Sequence, residues 1–236
     1  MGQPRLFSMI DKAVYDFKLI EEGDKILVGA SGGKDSTALI EYFANRKKRR
    51  NDVHFEFTAL HVHSEITSPL SDEMNALFEK WNVQPVSLQV DVLKNLRSDV
   101  KMSCYWCSTC RRTELIKYAL DNGYTKIALG HHLDDILETV IMNMLKKGEL
   151  STMVPRMQFE NFPLTIIRPL CYADVETIKQ HAKDSGYISS TCTCTYQNNS
   201  DRKEARRRLE ALTDGDARKK QMMFNALRNI NTQYLP

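Results

Sequence analysis

The amino-acid sequence predicts a doubly wound α/β fold: a mainly parallel sheet with helices on both faces, an N-terminal helix before it and a C-terminal helical appendage after it. Three observations predict this. Short apolar runs of strand length alternate with longer segments of helical period. The first run, KILVGA at residues 25–30, enters a glycine-containing turn and then a helix, the order in which open α/β sheets build a ligand crevice. Beyond about residue 188 apolar density falls and charged helical segments dominate.

The elements follow in order. Leu6, Met9, Ile10, Ala13, Val14 and Phe17 repeat at helical spacing, which predicts an amphipathic helix over 5–20. KILVGA reads as a buried strand, residues 36–48 as a helix and 53–64 as the second strand. A helix over 71–82 precedes a strand at 85–92, PVSLQVDV. The next helix carries or closely follows CYWCSTCRR (104–112) and reaches about Leu120, where Asn122-Gly123 supplies a stop signal. TKIALG at 125–130 is another strand, followed by a helix over 134–147. Residues 164–170 read as a strand and 174–184 as a helix. The predicted organisation is a helix over 1–20, an α/β domain with the cysteine cluster over 21–187, and a basic helical segment over 188–236.

Bulk properties exclude several classes. The 236 residues suffice for one sizeable core. No run approaches the ~18 apolar residues of a membrane span, and the N-terminus carries acids without an apolar signal core. Leu6 stands where a myristoylation signal wants Ser or Thr. A cytoplasmic address is expected, with no membrane partner. The formal charge of +3 is too small to imply nucleic acid, but basic residues cluster at 46–50 and again from Arg202 to Lys220. Such runs either neutralise phosphates or form solvated helix faces.

The first strand runs into Ala30-Ser31-Gly32-Gly33-Lys34-Asp35-Ser36. Backbone N–H groups of such a turn, together with a helix N-terminus, form a phosphate site. Ser31 and Ser36 add hydroxyls and Lys34 a positive charge. Asp35 suits a phosphate site only as an orienting group or a ligand to a divalent cation. The motif is not a Walker loop, because Asp35 follows Gly33-Lys34 and Gly29 is one residue too close. A second constellation, GHHLDDILETVIMNML from Gly130, follows another strand and opens another helix. Asp134 and Asp135 suit the first turn of that helix.

Three of six cysteines, Cys104, Cys107 and Cys110, fall within seven residues. In a reducing compartment such clustering points to metal binding or redox chemistry. Cys171 alone reads as a packed thiol. Cys192 and Cys194 form a later pair. Zinc and iron–sulfur chemistry both suit these residue types.

SGGKDS after a first strand resembles the pyrophosphate-binding loop of the PP-loop, or N-type, ATP pyrophosphatase superfamily. GHHLDDILETVIMNML resembles the second signature of its tRNA-modifying members. CYWCSTCRRTELIKYA, with Ser108 and Arg111-Arg112 after the cysteines, and IIRPLCYADVETI (166–178) resemble the tRNA 2-thiocytidine biosynthesis family. The likeness spans about residues 20 to 210. Cys192-Thr193-Cys194 departs from that family's Cys-x-x-Cys, and Cys194-Thr195-Tyr196 is similar to the Cys-Pro-Tyr of 2-thiouridine enzymes.

The resemblance implies a PP-loop ATPase fold and an ATP-dependent tRNA sulfurtransferase. Such an enzyme adenylates a pyrimidine C2 oxygen, releases pyrophosphate and replaces the oxygen with sulfur. It implies ATP and Mg²⁺ held by Ala30, Ser31, Gly32, Gly33, Lys34, Asp35, Ser36, His61, Gly130 and His131. Asp35, Asp135 and Cys194 become the candidate catalytic residues. A [4Fe-4S] cluster would take Cys104, Cys107 and one of Cys192 and Cys194, leaving one iron open, with Cys110 spare. A persulfide carried on cysteine is the other route for sulfur. The implied partners are tRNA, steered by Arg111-Arg112 and Arg206-Arg207-Arg208, and a sulfur donor such as a cysteine desulfurase, with room for a homodimer. Trp106 is open to base stacking or to core packing. A 2-thiouridine synthetase is the nearest rival, and a zinc-stabilised RNA-binding module without turnover is another. A lysidine synthetase would need no thiolates.

Overall fold

The computed structural model describes residues 2–49, 52–94, 96, 102–187 and 200–234. The predicted ligands Cys192 and Cys194 lie outside the described residues.

The element order is α1 (Arg5–Phe17), β1 (Asp24–Gly29), α2 (Lys34–Arg49), β2 (Phe55–Ser64), α3 (Asp72–Lys80), β3 (Val86–Val90), α4 (Cys104–Asp121), β4 (Lys126–Ala128), α5 (Leu133–Lys147), β5 (Arg156–Gln158), β6 (Thr165–Ile167), α6 (Val175–Asp184), α7 (Ser200–Thr213) and α8 (Ala217–Ala226). The strands lie in the order β3-β2-β1-β4-β6-β5. All pairs are parallel except β5 on β6 at the edge. The chain therefore moves outward from β1 to β3 and then crosses back to β4. That reversal leaves a crevice at the carboxyl ends of β1 and β4.

Alternation along the strands fills both faces, as successive side chains must. Ile26, Val28, Ala59, Ala128 and Ile167 join one core, with Leu6, Ile10, Phe43, Phe78, Ile136, Leu137 and Ile178 from the helices. Leu27, Leu60, Val62, Ile127 and Ile166 join the other, with Cys107, Leu115 and Ala119 of α4. The doubly wound class expected from the sequence is the observed one. Ala205, Leu209 and Phe224 of α7 and α8 belong to the first core.

Two clusters that read as basic runs are partly internal. Arg46 is buried and donates to Asp11 at 2.9 Å and Asp52 at 3.1 Å, so it ties α2 to α1 and is no phosphate ligand. β5 was not expected. It spans three residues and is held by its antiparallel pairing to β6, which no local pattern encodes.

Candidate active site

The glycine loop bends where Gly32 takes a left-handed φ of 78°, a conformation glycine adopts without a Cβ penalty. Its serines knit the loop together. Ser31 N donates to Ser36 Oγ at 3.1 Å, the two hydroxyls lie 2.9 Å apart, and Ser36 Oγ donates to Gly33 O at 3.0 Å. Thr37 Oγ1 also donates to Gly33 O at 3.0 Å. α2 thus starts with its positive dipole end facing the crevice. Lys34 Nζ stands 3.0 Å from the Asp35 carboxylate.

His61 lies beneath this loop rather than in the cavity wall. Its Nδ1 meets Ala30 O at 2.6 Å and its Nε2 meets Ser68 O at 3.3 Å. His61 is not among the residues lining the cavity, and its two carbonyl contacts support the loop at Ala30.

The second loop meets the first at Gly130. A Cβ there would stand 3.0 Å from Ser36 N and 3.2 Å from Asp35 C, so only glycine lets the two turns approach so closely. His132 caps α5: its Nδ1 accepts from Asp135 N at 3.4 Å while Asp135 Oδ2 accepts from His132 N at 3.2 Å. With Nδ1 accepting, Nε2 is the ring's donor. Nε2 lies 3.5 Å from Asp135 Oδ2 and 4.0 Å from Asp35 Oδ1, between the two acids. His132 was missed by sequence reasoning, since capping by histidine leaves no distinctive spacing.

The paired aspartates diverge. Asp134 is buried, accepting from Val175 N at 2.8 Å and from Lys220 Nζ at 2.7 Å, a structural post for α6 and α8. Asp135 faces the cavity, and Arg202 of α7 reaches its Oδ1 at 2.7 Å. Burial works against the charge of Asp135, but His132, His131 and Arg202 outweigh it and hold the carboxyl below the usual carboxylate range. Burial pushes His131 down to about 4, and Arg168, Arg202 and Arg112 push the same way. Its Nδ1 has no hydrogen-bond partner among the described residues.

Between the loops lies a cavity of about 330 Å³, within the range of small-ligand sites. Leu60, Val62, Leu115 and Leu129 form its apolar part. Ala30, Ser31, Asp35, Ser36, Gly130, His131 and Asp135 line it from the loops, and Ser108, Arg111 and Arg112 from α4. Positions 108, 111, 112 and 115 share one helix face. The cysteine-bearing helix therefore forms a wall of the same cavity.

Cys104 and Cys107 occupy the first two turns of α4. Cys107 is buried and Cys104 half-buried. Burial raises the Cys110 thiol above its ordinary value. Cys171 is fully buried and its thiol is pushed up to about 12. Two thiols one turn apart fit a thiolate-ligated metal group. Among the described residues no three His, Cys, Asp or Glu side chains gather to hold an ion.

Other polar side chains near the site are taken up within the fold. Trp106 Nε1 donates to Val92 O at 3.1 Å, which makes the ring a packing residue. Asn143 Nδ2 supports the following loop through Ser151 O at 2.9 Å. Arg206 Nε binds Glu138, 0% exposed, at 2.7 Å. Arg207 and Arg208 share Glu204 at 2.7 Å. These arginines zip α7 to α5 or to itself, so their charge is largely compensated.

A glycine turn and helix N-terminus at the switch point of a parallel sheet, facing a cavity rich in arginine, define a nucleotide-binding α/β protein of the PP-loop class. Residues 5–211 match the PP-loop domain family. The chain is 32% identical over 231 residues to the tRNA-cytidine(32) 2-sulfurtransferase of Geobacter metallireducens, covering 96% of this chain and 90% of that protein. It is 32% identical over 240 residues to that of Tolumonas auensis, covering 99% and 78%. The solved U34-tRNA thiolase NcsA from Methanococcus maripaludis, with its [4Fe-4S] cluster, shares the fold. Its TM-score is 0.77 at 18% identity, over 98% of this chain and 80% of that one. The chain belongs to the PP-loop family and, within it, to the tRNA-cytidine 2-sulfurtransferases. Among the described residues no helix is long and apolar enough to cross a membrane.

Proposed function

We propose that this enzyme converts cytidine 32 of tRNA to 2-thiocytidine by ATP-dependent adenylation of the C2 oxygen. The observation that carries the reading is the shared cavity. One wall is the glycine loop, the other is the α4 face that follows Cys104 and Cys107.

The triphosphate lies across the glycine loop and the α2 N-terminus, whose N–H groups are fixed by the serine network. Arg111 faces it from α4. The carboxylate oxygens of Asp35 and Asp135 are the donors Mg²⁺ prefers, and His132 Nε2 stands between the two acids. The cytidine C2 oxygen attacks the α-phosphorus, forming the O–P bond as pyrophosphate leaves. A sulfur nucleophile then attacks C2, forming C–S as the C–O bond breaks and AMP departs with the oxygen. Positioning supplies most of the acceleration. His131, held neutral by burial, is available to hydrogen-bond the base.

Cys104 and Cys107, with a third thiolate from Cys192 or Cys194, would hold a [4Fe-4S] cluster beside that base. Bound there, the cluster would present sulfide-level sulfur to the base; sulfur brought as a persulfide by a donor such as a cysteine desulfurase would need a two-electron reductant to reach that level. The reading is tested by nucleoside analysis of tRNA from cells lacking the gene. Loss of 2-thiocytidine supports it; loss of 2-thiouridine with 2-thiocytidine intact contradicts it.

A further inference from the structure

The cavity holds positive charge that no carboxylate answers. Arg112 lines it from α4, is exposed, and makes no hydrogen bond or ion pair among the described residues. Arg168 follows β6 at the carboxyl edge of the sheet and is only 6% exposed. One of its terminal nitrogens donates to Val154 O at 2.5 Å, and its Nε has no hydrogen-bond partner. Burial first, and then the charge of Arg112, push Arg168 down to about 10. The two guanidinium groups therefore sit close enough to repel.

Elsewhere the fold pays attention to buried cations. Arg46 has two carboxylates and Lys220 has Asp134. A buried cation left with one carbonyl and a like-charged neighbour is unfavourable unless an anion completes the site. The cavity's own acids sit beside other cations, Asp35 by Lys34 and Asp135 by Arg202, and are proposed to serve Mg²⁺ rather than Arg112 or Arg168. His131, whose pKa the charges of both arginines help to lower, also lines the cavity, and its buried Nδ1 has no hydrogen-bond partner among the described residues.

Placement selects the anion. β4 separates β1 from β6, so Arg168 stands two strand spacings from the glycine loop, about 10 Å. The triphosphate already has the loop and the α2 N-terminus. A nucleotide whose base reaches the α-phosphorus must bring its own phosphodiester into the same cavity, on the side away from the loop. We propose that Arg112 and Arg168 jointly bind one backbone phosphodiester of the RNA substrate, adjoining the nucleotide that is modified. The proposal rests on the thiolation reading. It moves RNA recognition from the compensated arginines of α7 to an uncompensated pair, of which Arg112 lines the cavity and Arg168 is buried just after β6.

The test measures binding of unmodified tRNA by fluorescence anisotropy across a potassium chloride series, with Mg-ATP affinity from calorimetry. The variants are R112Q, R168Q, the double variant and R168K. R112Q and R168Q should each weaken tRNA binding about tenfold and lower the log–log salt slope by about 0.7, one phosphate's worth on a single strand. The double variant should lower the slope no further, because both groups share one phosphate. R168K should restore it, and Mg-ATP affinity should stay within twofold throughout. Unchanged tRNA affinity and slope in R112Q, whose exposed position does not threaten folding, would overturn the proposal. So would a loss confined to ATP affinity, which would make the triphosphate the anion. Wild-type protein that binds no tRNA overturns the thiolation reading as well; wild-type binding that the variants retain overturns this site alone.

Discussion

Arg202 and Asp135 are joined at 2.7 Å, an ion pair that ties α7 to the helix closing the nucleotide cavity. The pair places a residue from the C-terminal part of the chain, eight positions after Cys194, against a carboxylate proposed to serve ATP and Mg²⁺.

Removing Arg202 should change how Asp135 titrates. A carboxyl held below its ordinary value of about 3.9 stabilises the fold above that pH and loses the contribution as pH falls through the lowered value. Burial raises the carboxyl, while His132, His131 and Arg202 lower it further than burial raises it. In R202A the carboxyl titrates higher, so the loss begins at higher pH. The acid-unfolding midpoint, followed by circular dichroism, should move upward. An unmoved midpoint would show that Asp135 does not depend on this partner.

Gly130→Ala should separate the two turns. The added Cβ meets backbone, Ser36 N at 3.0 Å and Asp35 C at 3.2 Å, which cannot rotate away. Forced repacking costs about 1–3 kcal/mol. ATP affinity measured by calorimetry should fall by about tenfold or more while β-sheet content is retained. Wild-type affinity would mean that the loops need not touch.

The stability of the folded state should carry a signature of His131. Its pKa is lowered to about 4 by burial, against an ordinary value of about 6.5. Between those values the unfolded chain binds more protons than the native one, so stability falls as pH drops across the window. His131→Asn should flatten that part of the profile. Urea unfolding of both proteins at pH 7 and pH 5 reads the difference directly, and equal slopes would contradict the buried neutral state.

Metal loading should sort the cysteines of α4. Protein purified without oxygen should retain iron and sulfide in C110S and lose them in C104S. Iron lost from C110S and kept in C104S would reverse the assignment, and stoichiometric zinc in colourless protein would replace the cluster altogether.

Much of this fold was legible locally. KILVGA and TKIALG are apolar runs that no exposed segment would carry, and both become central strands, β1 and β4. The glycine loop was legible because a phosphate turn needs glycines, a strand before it and a helix after it. What stayed hidden depends on partners distant in sequence. β5 exists through Met157 opposite Ile166. Asp134 and Asp135 look equivalent in the chain, and only the approach of Lys220 to one and Arg202 to the other separates them. Arg206 looked like an RNA contact because the buried Glu138 that claims it lies 68 residues away. Arg168 looked like strand residue until its burial without a carboxylate became visible.

The most direct measurement follows the oxygen. A tRNA carrying ¹⁸O at C2 of cytidine 32 is incubated without oxygen with the enzyme, Mg-ATP and a sulfide source, and the AMP is weighed by mass spectrometry. Adenylation of the C2 oxygen predicts one ¹⁸O in AMP for each 2-thiocytidine formed. Thiolation that leaves AMP unlabelled would contradict the account.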